Sequence, residues 1–204
     1  MPLLHRRSFL LASCATALAG PAWSADQAVL APVKDLIATL LVIMKQGKAV
    51  PFPNRVRTLA VAIDRVFDLD TILRESVGAS WATIPAPDQI ALRGAFRDFT
   101  VASYVNNFDS LGGQRFEVLP EPRTLPNGDQ VAESRIVVTP TEAHALDYVM
   151  HASGGAWRVV DVLAEGSISR VAVQRSDFRR LLAQGGAAAL IASLRTKTAE
   201  LGAT

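Results

Sequence analysis

Residues 156–186, AWRVVDVLAEGSISRVAVQRSDFRRLLAQGG, change pattern midway, and that change sets the fold class. The first half, 157–163, is dense in β-branched and aromatic residues and reads as a strand. Strict alternation would put Trp157, Val159, Asp161 and Leu163 on one face and Arg158, Val160, Val162 and Ala164 on the other. Both faces are mainly apolar, so both require cover. Gly166 ends the strand and the rest turns helical. Ser176 is placed to cap a helix over 177–184, which Gly185-Gly186 would stop. A strand apolar on both sides, followed by amphipathic helices, implies a sheet with helices packed on it.

Working outward, the long N-terminal half has helical period. Val29, Val33, Leu36, Ile37, Leu40 and Met44 recur at helix spacing over 26–44. The uninterrupted apolar run 38–44 is shorter than the ~20 residues a membrane span needs. Pro51-Phe52-Pro53 reads as a break, with Asn54 capping a second helix through Val66. Asp68 caps a short third helix ending near Gly78. The longest helix is expected over 88–108, with Leu92, Ala95, Phe96, Phe99, Tyr104 and Phe108 as its apolar stripe. The period then switches to two, giving four strands at 114–119, 130–139, 144–152 and 156–163. Turn signals at 126–128, 140–142 and 153–155 make them an antiparallel meander. Helices over 176–184 and 187–198 close an α+β chain. The expected organisation is a helical part over 26–110 and 166–198, with a sheet over 114–165, in one domain of residues 25–204.

Residues 1–24 read as an export signal: Arg6 and Arg7, an apolar run over 9–20, then Ala22-Trp23-Ser24 as a cleavage site. An ordinary secretory signal and a twin-arginine signal both fit His5-Arg6-Arg7-Ser8-Phe9-Leu10. Leu11-Ala12-Ser13-Cys14 resembles a lipoprotein box, but its apolar segment is short, and a soluble periplasmic product is the expectation. The chain carries 21 Lys and Arg against 19 Asp and Glu, and the signal removes two arginines, leaving 19 of each. A neutral chain offers no electrostatic case for nucleic acid. Cys14, the single cysteine, leaves with the signal, so disulfides, thiol catalysis and cysteine metal sites are excluded.

The catalytic inventory is thin. His144 and His151 are an odd number of residues apart and point to opposite faces of one regular strand. No HExxH, phosphate loop or nucleophile elbow is present, so no metal and no cofactor are expected. Arg175, Arg179 and Arg180 read as a solvated helix end. Asp161, among apolar neighbours, could serve as a general base if burial raised its pKa. The plainer reading is a structural carboxylate hydrogen-bonded to a loop or paired with an arginine such as Arg135. Abundant apolar surface with no catalytic set suits a container better than a catalyst.

The chain also resembles the MlaC family of periplasmic lipid carriers, known from toluene-tolerance operons. The resemblance rests on Phe67-Asp68 with Gly78 and Trp81, on Ala95-Phe96, Tyr104 and Tyr148, and on Trp157-Arg158-Val159-Val160-Asp161-Val162. Gly166-Ser167-Ile168-Ser169, Arg175-Ser176-Asp177-Phe178 and Gly185-Gly186 complete it. Residues 103–109 with 113–116, and 167–169 leading to 175–178, look closer to the hopanoid-associated HpnM branch. The resemblance implies an NTF2-like antiparallel sheet, a helical subdomain and an apolar cavity between them. It implies phospholipid or hopanoid passed between an inner-membrane ABC-type complex and an outer-membrane complex, by a protein that is not an enzyme and is a monomer. Pattern and resemblance together nominate Phe96, Phe99, Tyr104 and Phe108 from the long helix as cavity wall. The sheet would add Val137, Tyr148, Met150, Val160 and Val162, and Leu69, Ile72 and Leu73 would close one end. Two other functions fit the composition: an isomerase or dehydratase with Asp161 as base, and a structural subunit with a filled core.

Overall fold

The computed structural model describes residues 23–203; residues 1–22, most of the expected signal, lie outside that range. Helix α1 (Trp23–Gln46) buries Val29, Leu30, Val33, Leu36, Ile37, Leu40, Ile43 and Met44 along one side. That stripe is sequence-encoded amphipathicity. The segment Ala25–Ala49 is long and apolar enough to cross a membrane. In this fold its apolar face lies instead against α2 (Phe52–Val66) and the sheet. An ion pair from Arg65 to Asp35, at 3.4 Å, joins the two helices on their outer side.

Helix α2 begins at Phe52, not after Asn54. Pro51 and Pro53, read as a break, form the cap and first turn, where proline's missing N–H costs nothing. Asn54 takes a hydrogen bond from Arg57 instead. Helix α3 (Leu69–Val77) is capped as expected: the Thr71 amide donates to Asp68 Oδ1 at 3.0 Å, and Gly78 at φ 69° ends it. Helix α4 (Ala86–Asn107) follows a 3₁₀ turn carrying Trp81, whose ring lies beside the guanidiniums of Arg74 and Arg93.

The sheet has seven strands among the described residues, because the expected run 130–139 is divided in two and two short strands form outside the four expected runs. Strand β1 (Arg115–Val118) and the two-residue β2 (Arg123–Thr124) flank one side of β3 (Gln130–Ala132) and β4 (Ser134–Thr139). The run 130–139 is thus two strands, yet the register on β5 (Glu142–Ser153) carries across the join, with Ala132 facing Tyr148 and Arg135 facing Ala145, and shifts only between Val137 and Thr139. At the join, the Ser134 amide donates to Asp147 Oδ1 and the Ser134 hydroxyl to the Leu146 carbonyl, side chains standing in for the ladder. Strand β6 (Ala156–Ala164) lies on the other edge of β5, and β7 (Ile168–Ser169) hangs on β6. All these pairings are antiparallel, and helices pack on the sheet, so the expected α+β architecture holds.

Two expectations fail within residues 156–186. Val159 faces Met150 while Asp161 faces Val149, so Val160 is an extra, bulged residue. The bulge reverses the alternation: Val159 and Val162 share the face of Met150 and Tyr148, and Asp161 moves to the other. Helix α5 (Arg170–Gly202) starts well before Ser176, because Ser169 is the cap and accepts from the Ala172 amide at 3.0 Å. Gly185 and Gly186 do interrupt it. Gly186, at φ 62° and ψ −157°, is in a region essentially only glycine occupies, so α5 has two arms, 170–184 and 187–202.

Candidate functional site

A cavity of about 260 Å³ lies where α3, α4 and the first arm of α5 meet β5 and β6. Helix α4 supplies the largest share of the wall through Phe96, Phe99, Thr100, Ser103, Tyr104, Asn107 and Phe108. That spacing of three and four places them on one helix face. The sheet gives Leu146, Asp161, Val162 and Ala164, the α2–α3 junction Phe67, Leu69 and Ile72, and α5 Arg170, Val171 and Gln174.

The aromatic residues form a connected string along this wall. Phe67 meets Tyr104 edge-on at 5.5 Å, Tyr104 stacks on Phe108 at 5.8 Å, and Phe108 meets Phe116 at 5.8 Å. Phe67 is held by the sheet: it bridges to Val159, and the next amide, Asp68, donates to the Val159 carbonyl at 2.9 Å. Phe96 packs edge-on against Phe178 of α5 and is 1% exposed, so that end is closed. Asn107 and Arg170 are exposed, which marks the open end.

The chemistry inside is subdued. Asp161 is held by three donors: the Val162 amide at 2.7 Å, the Ser169 hydroxyl at 2.5 Å and the Val171 amide at 3.0 Å. It fastens the start of α5 to β6 and is not paired with Arg135, which binds Glu117. Burial pushes the Tyr104 hydroxyl well above its ordinary pKa; neighbouring Tyr148 and the charge of Arg170 act weakly against that. Burial first, then Tyr104, raises Tyr148 likewise. Although the two phenols are near neighbours, the buried Tyr148 hydroxyl has no hydrogen bond of acceptable geometry. Neither phenol is an acid or base at neutral pH.

Of the nominated residues, Leu69, Ile72, Phe96, Phe99, Tyr104, Phe108 and Val162 border the cavity. Leu73, Tyr148 and Met150 do not; each is fully buried in the core. Val137 is buried on β4 opposite Arg115, away from the cavity, and Val160 is the bulged residue. Sequence reading missed Thr100, Ser103 and Asn107, although the helix spacing from Phe96 contains them. It missed Arg170 and Gln174 because the capped helix was expected to begin only after Ser176. His144 lies near Glu142 and Glu165, and His151 near Asp129, at opposite ends of β5.

Fold and site together define an α+β protein built around an aromatic-lined, apolar cavity with a polar rim. A profile of the MlaC protein family matches residues 34–196, and the chain belongs to that family. Among solved structures it is similar to the phospholipid-binding protein from Ralstonia solanacearum in complex with a phospholipid. The TM-score is 0.69 and the identity 20%, covering 85% of this chain and 98% of that one. No curated protein matches the chain.

Proposed function

We propose that this protein is a periplasmic lipid carrier that takes lipid tails into the α4-walled cavity. The observation that carries the reading is the aromatic wall that α4 turns toward a cavity through Phe99, Tyr104 and Phe108, with Phe96 closing the inner end against Phe178. Membership of the MlaC family and likeness to a phospholipid-binding protein support it. An acyl chain gains about 0.8 kcal/mol per CH₂ on leaving water. From a bilayer the net gain is small, so a carrier needs a dry cavity more than a tight one. At about 260 Å³ the cavity lies just under the usual ~300–1,000 Å³ of small-molecule sites. A two-tailed lipid therefore requires α4 and α5 to separate.

Residues 1–24 serve as the export signal in this reading, and 25–204 act as one lipid-binding domain. The carrier exchanges phospholipid or hopanoid with an inner-membrane ABC-type complex and an outer-membrane complex. The enzyme alternative is disfavoured because Asp161 is committed to three donors. The test is solvent extraction of the purified protein followed by lipid mass spectrometry. Near-stoichiometric lipid is expected. A protein that stays empty after incubation with phospholipid and hopanoid vesicles would overturn the proposal.

A further inference from the structure

Charge is unevenly placed along this chain. Helix α5 carries six of the 19 basic residues in 25–204 but only two of the 19 acidic ones, so the rest of that range holds 13 against 17. Most of the surplus sits on the first arm, 170–184, where Asp177 is the only carboxylate against four arginines. Arg175 is committed to Glu75 of α3, donating to its backbone carbonyl at 2.7 Å and its carboxylate at 2.8 Å. Arg179 and Arg180 are exposed and pair with no carboxylate among the described residues. The arm buries Val171 and Phe178 inward. Val173, Ser176 and Arg180 follow one another at steps of three and four on the opposite, solvent side. Val173 is 41% exposed there, and Ile168, on β7 just before the arm, is 52% exposed.

Exposed aliphatic side chains set among unpaired arginines complement the surface of an anionic bilayer. Guanidiniums sit at the charged layer, and valine and isoleucine enter the apolar boundary beneath it. An acidic protein surface would answer the arginines alone. We infer that the outward side of the first α5 arm is a docking surface for an anionic membrane, held by Arg179 and Arg180 and seated by Val173 and Ile168. Val171 of the same arm borders the cavity from its inner side, so a docked bilayer lies about one helix diameter, ~10 Å, from the chamber. The attraction fades within about 10 Å in salt, so the contact is weak and reversible. The inference goes beyond the carrier reading and does not depend on what the cavity holds.

Vesicle flotation tests it, with phosphatidylcholine vesicles prepared with and without phosphatidylglycerol, at low and at high salt. The unaltered protein is expected to float with the anionic vesicles at low salt only. Arg179→Gln combined with Arg180→Gln should weaken that binding at least about tenfold, since each cation near an anionic surface counts for about fivefold. Val173→Ser, which leaves the charge unchanged, should weaken it less but measurably. Lys45→Gln combined with Arg57→Gln removes the same charge from α1 and α2 and should leave binding nearly unaltered. Circular dichroism melts check that the variants fold. A protein that ignores anionic vesicles, binding that survives the Arg179 and Arg180 changes, or an equal loss in the Lys45 and Arg57 control overturns the inference. Polyglutamate serves as an acidic polypeptide probe. Binding to it that needs both arginines, with vesicle binding indifferent to Val173→Ser, would assign the face to an acidic protein and also overturn the inference. Lipid recovered by solvent extraction from the same variants reports on the carrier reading separately, and it should not change.

Discussion

Asp161 shows how an apparent catalytic candidate can be a fastener. One carboxylate holds the Val162 amide on β6 and the Ser169 hydroxyl and Val171 amide at the start of α5. Asp161→Ala leaves these donors without an acceptor, and hydrogen bonds to a charged group contribute about 1.5–3 kcal/mol. A loss of that order is expected in urea unfolding, with the first arm of α5 losing hydrogen-exchange protection first. Asp147 behaves oppositely. Burial raises its pKa, while the Ser134 amide only partly offsets this. With the folded-state pKa above the unfolded one, its contribution is fully present in acid and is lost as pH rises through the raised value. Asp147→Asn, which keeps the acceptor and removes the charge, should therefore be more stable than the unaltered protein at pH 7. The gap in urea midpoints should close as pH falls toward ~4. A gap that widened in acid would refute this assignment. Only Asp161 was singled out in the sequence, and the partners of both aspartates, 10 and 13 residues away, depend on how strands register.

Elements were legible where the signal is local. Asp68 caps α3 because its side chain reaches an amide three residues on, and Gly185-Gly186 breaks α5 through its own backbone preferences. The bulge at Val160 was not legible, since nothing in Arg158-Val159-Val160-Asp161 distinguishes an extra residue from an ordinary strand. One unpaired residue then reversed the faces of everything after it. Ser169 was overlooked as the cap because Ser176 offered the same chemistry nearer the hydrophobic repeat. Gly186→Ala tests the break: φ 62° with ψ −157° strains any side chain, at a cost of order 1–3 kcal/mol. Lower unfolding midpoints without added helicity by circular dichroism are expected. Added helicity with unchanged stability would mean that the two arms can join into one straight helix.

At the scale of the whole molecule, helices and sheet differ in how they use their apolar faces. Helices α1 and α2 bury theirs in the core, whereas α4 buries Leu92, Val101 and Val105 and also turns Phe99, Tyr104 and Phe108 toward the cavity. Composition could not separate these uses, because a stripe that meets a neighbour and a stripe that meets a ligand have the same period. The fold class was therefore readable from pattern, while the inward face of the sheet was not, and Tyr148 and Met150 belong to the core. Ala164 is the position that tests which use is correct. It borders the cavity from the end of β6, opposite Leu146, where a larger side chain projects into open volume. In a filled core, Ala164→Phe would cost about 1–3 kcal/mol through overpacking. In a cargo chamber it should leave the urea midpoint nearly unchanged and lower the lipid recovered by solvent extraction. Marked destabilisation with undiminished lipid would place the cargo elsewhere on the protein. A stable variant that still carried its full complement would show that the chamber widens enough on loading to hold both the ring and the tails.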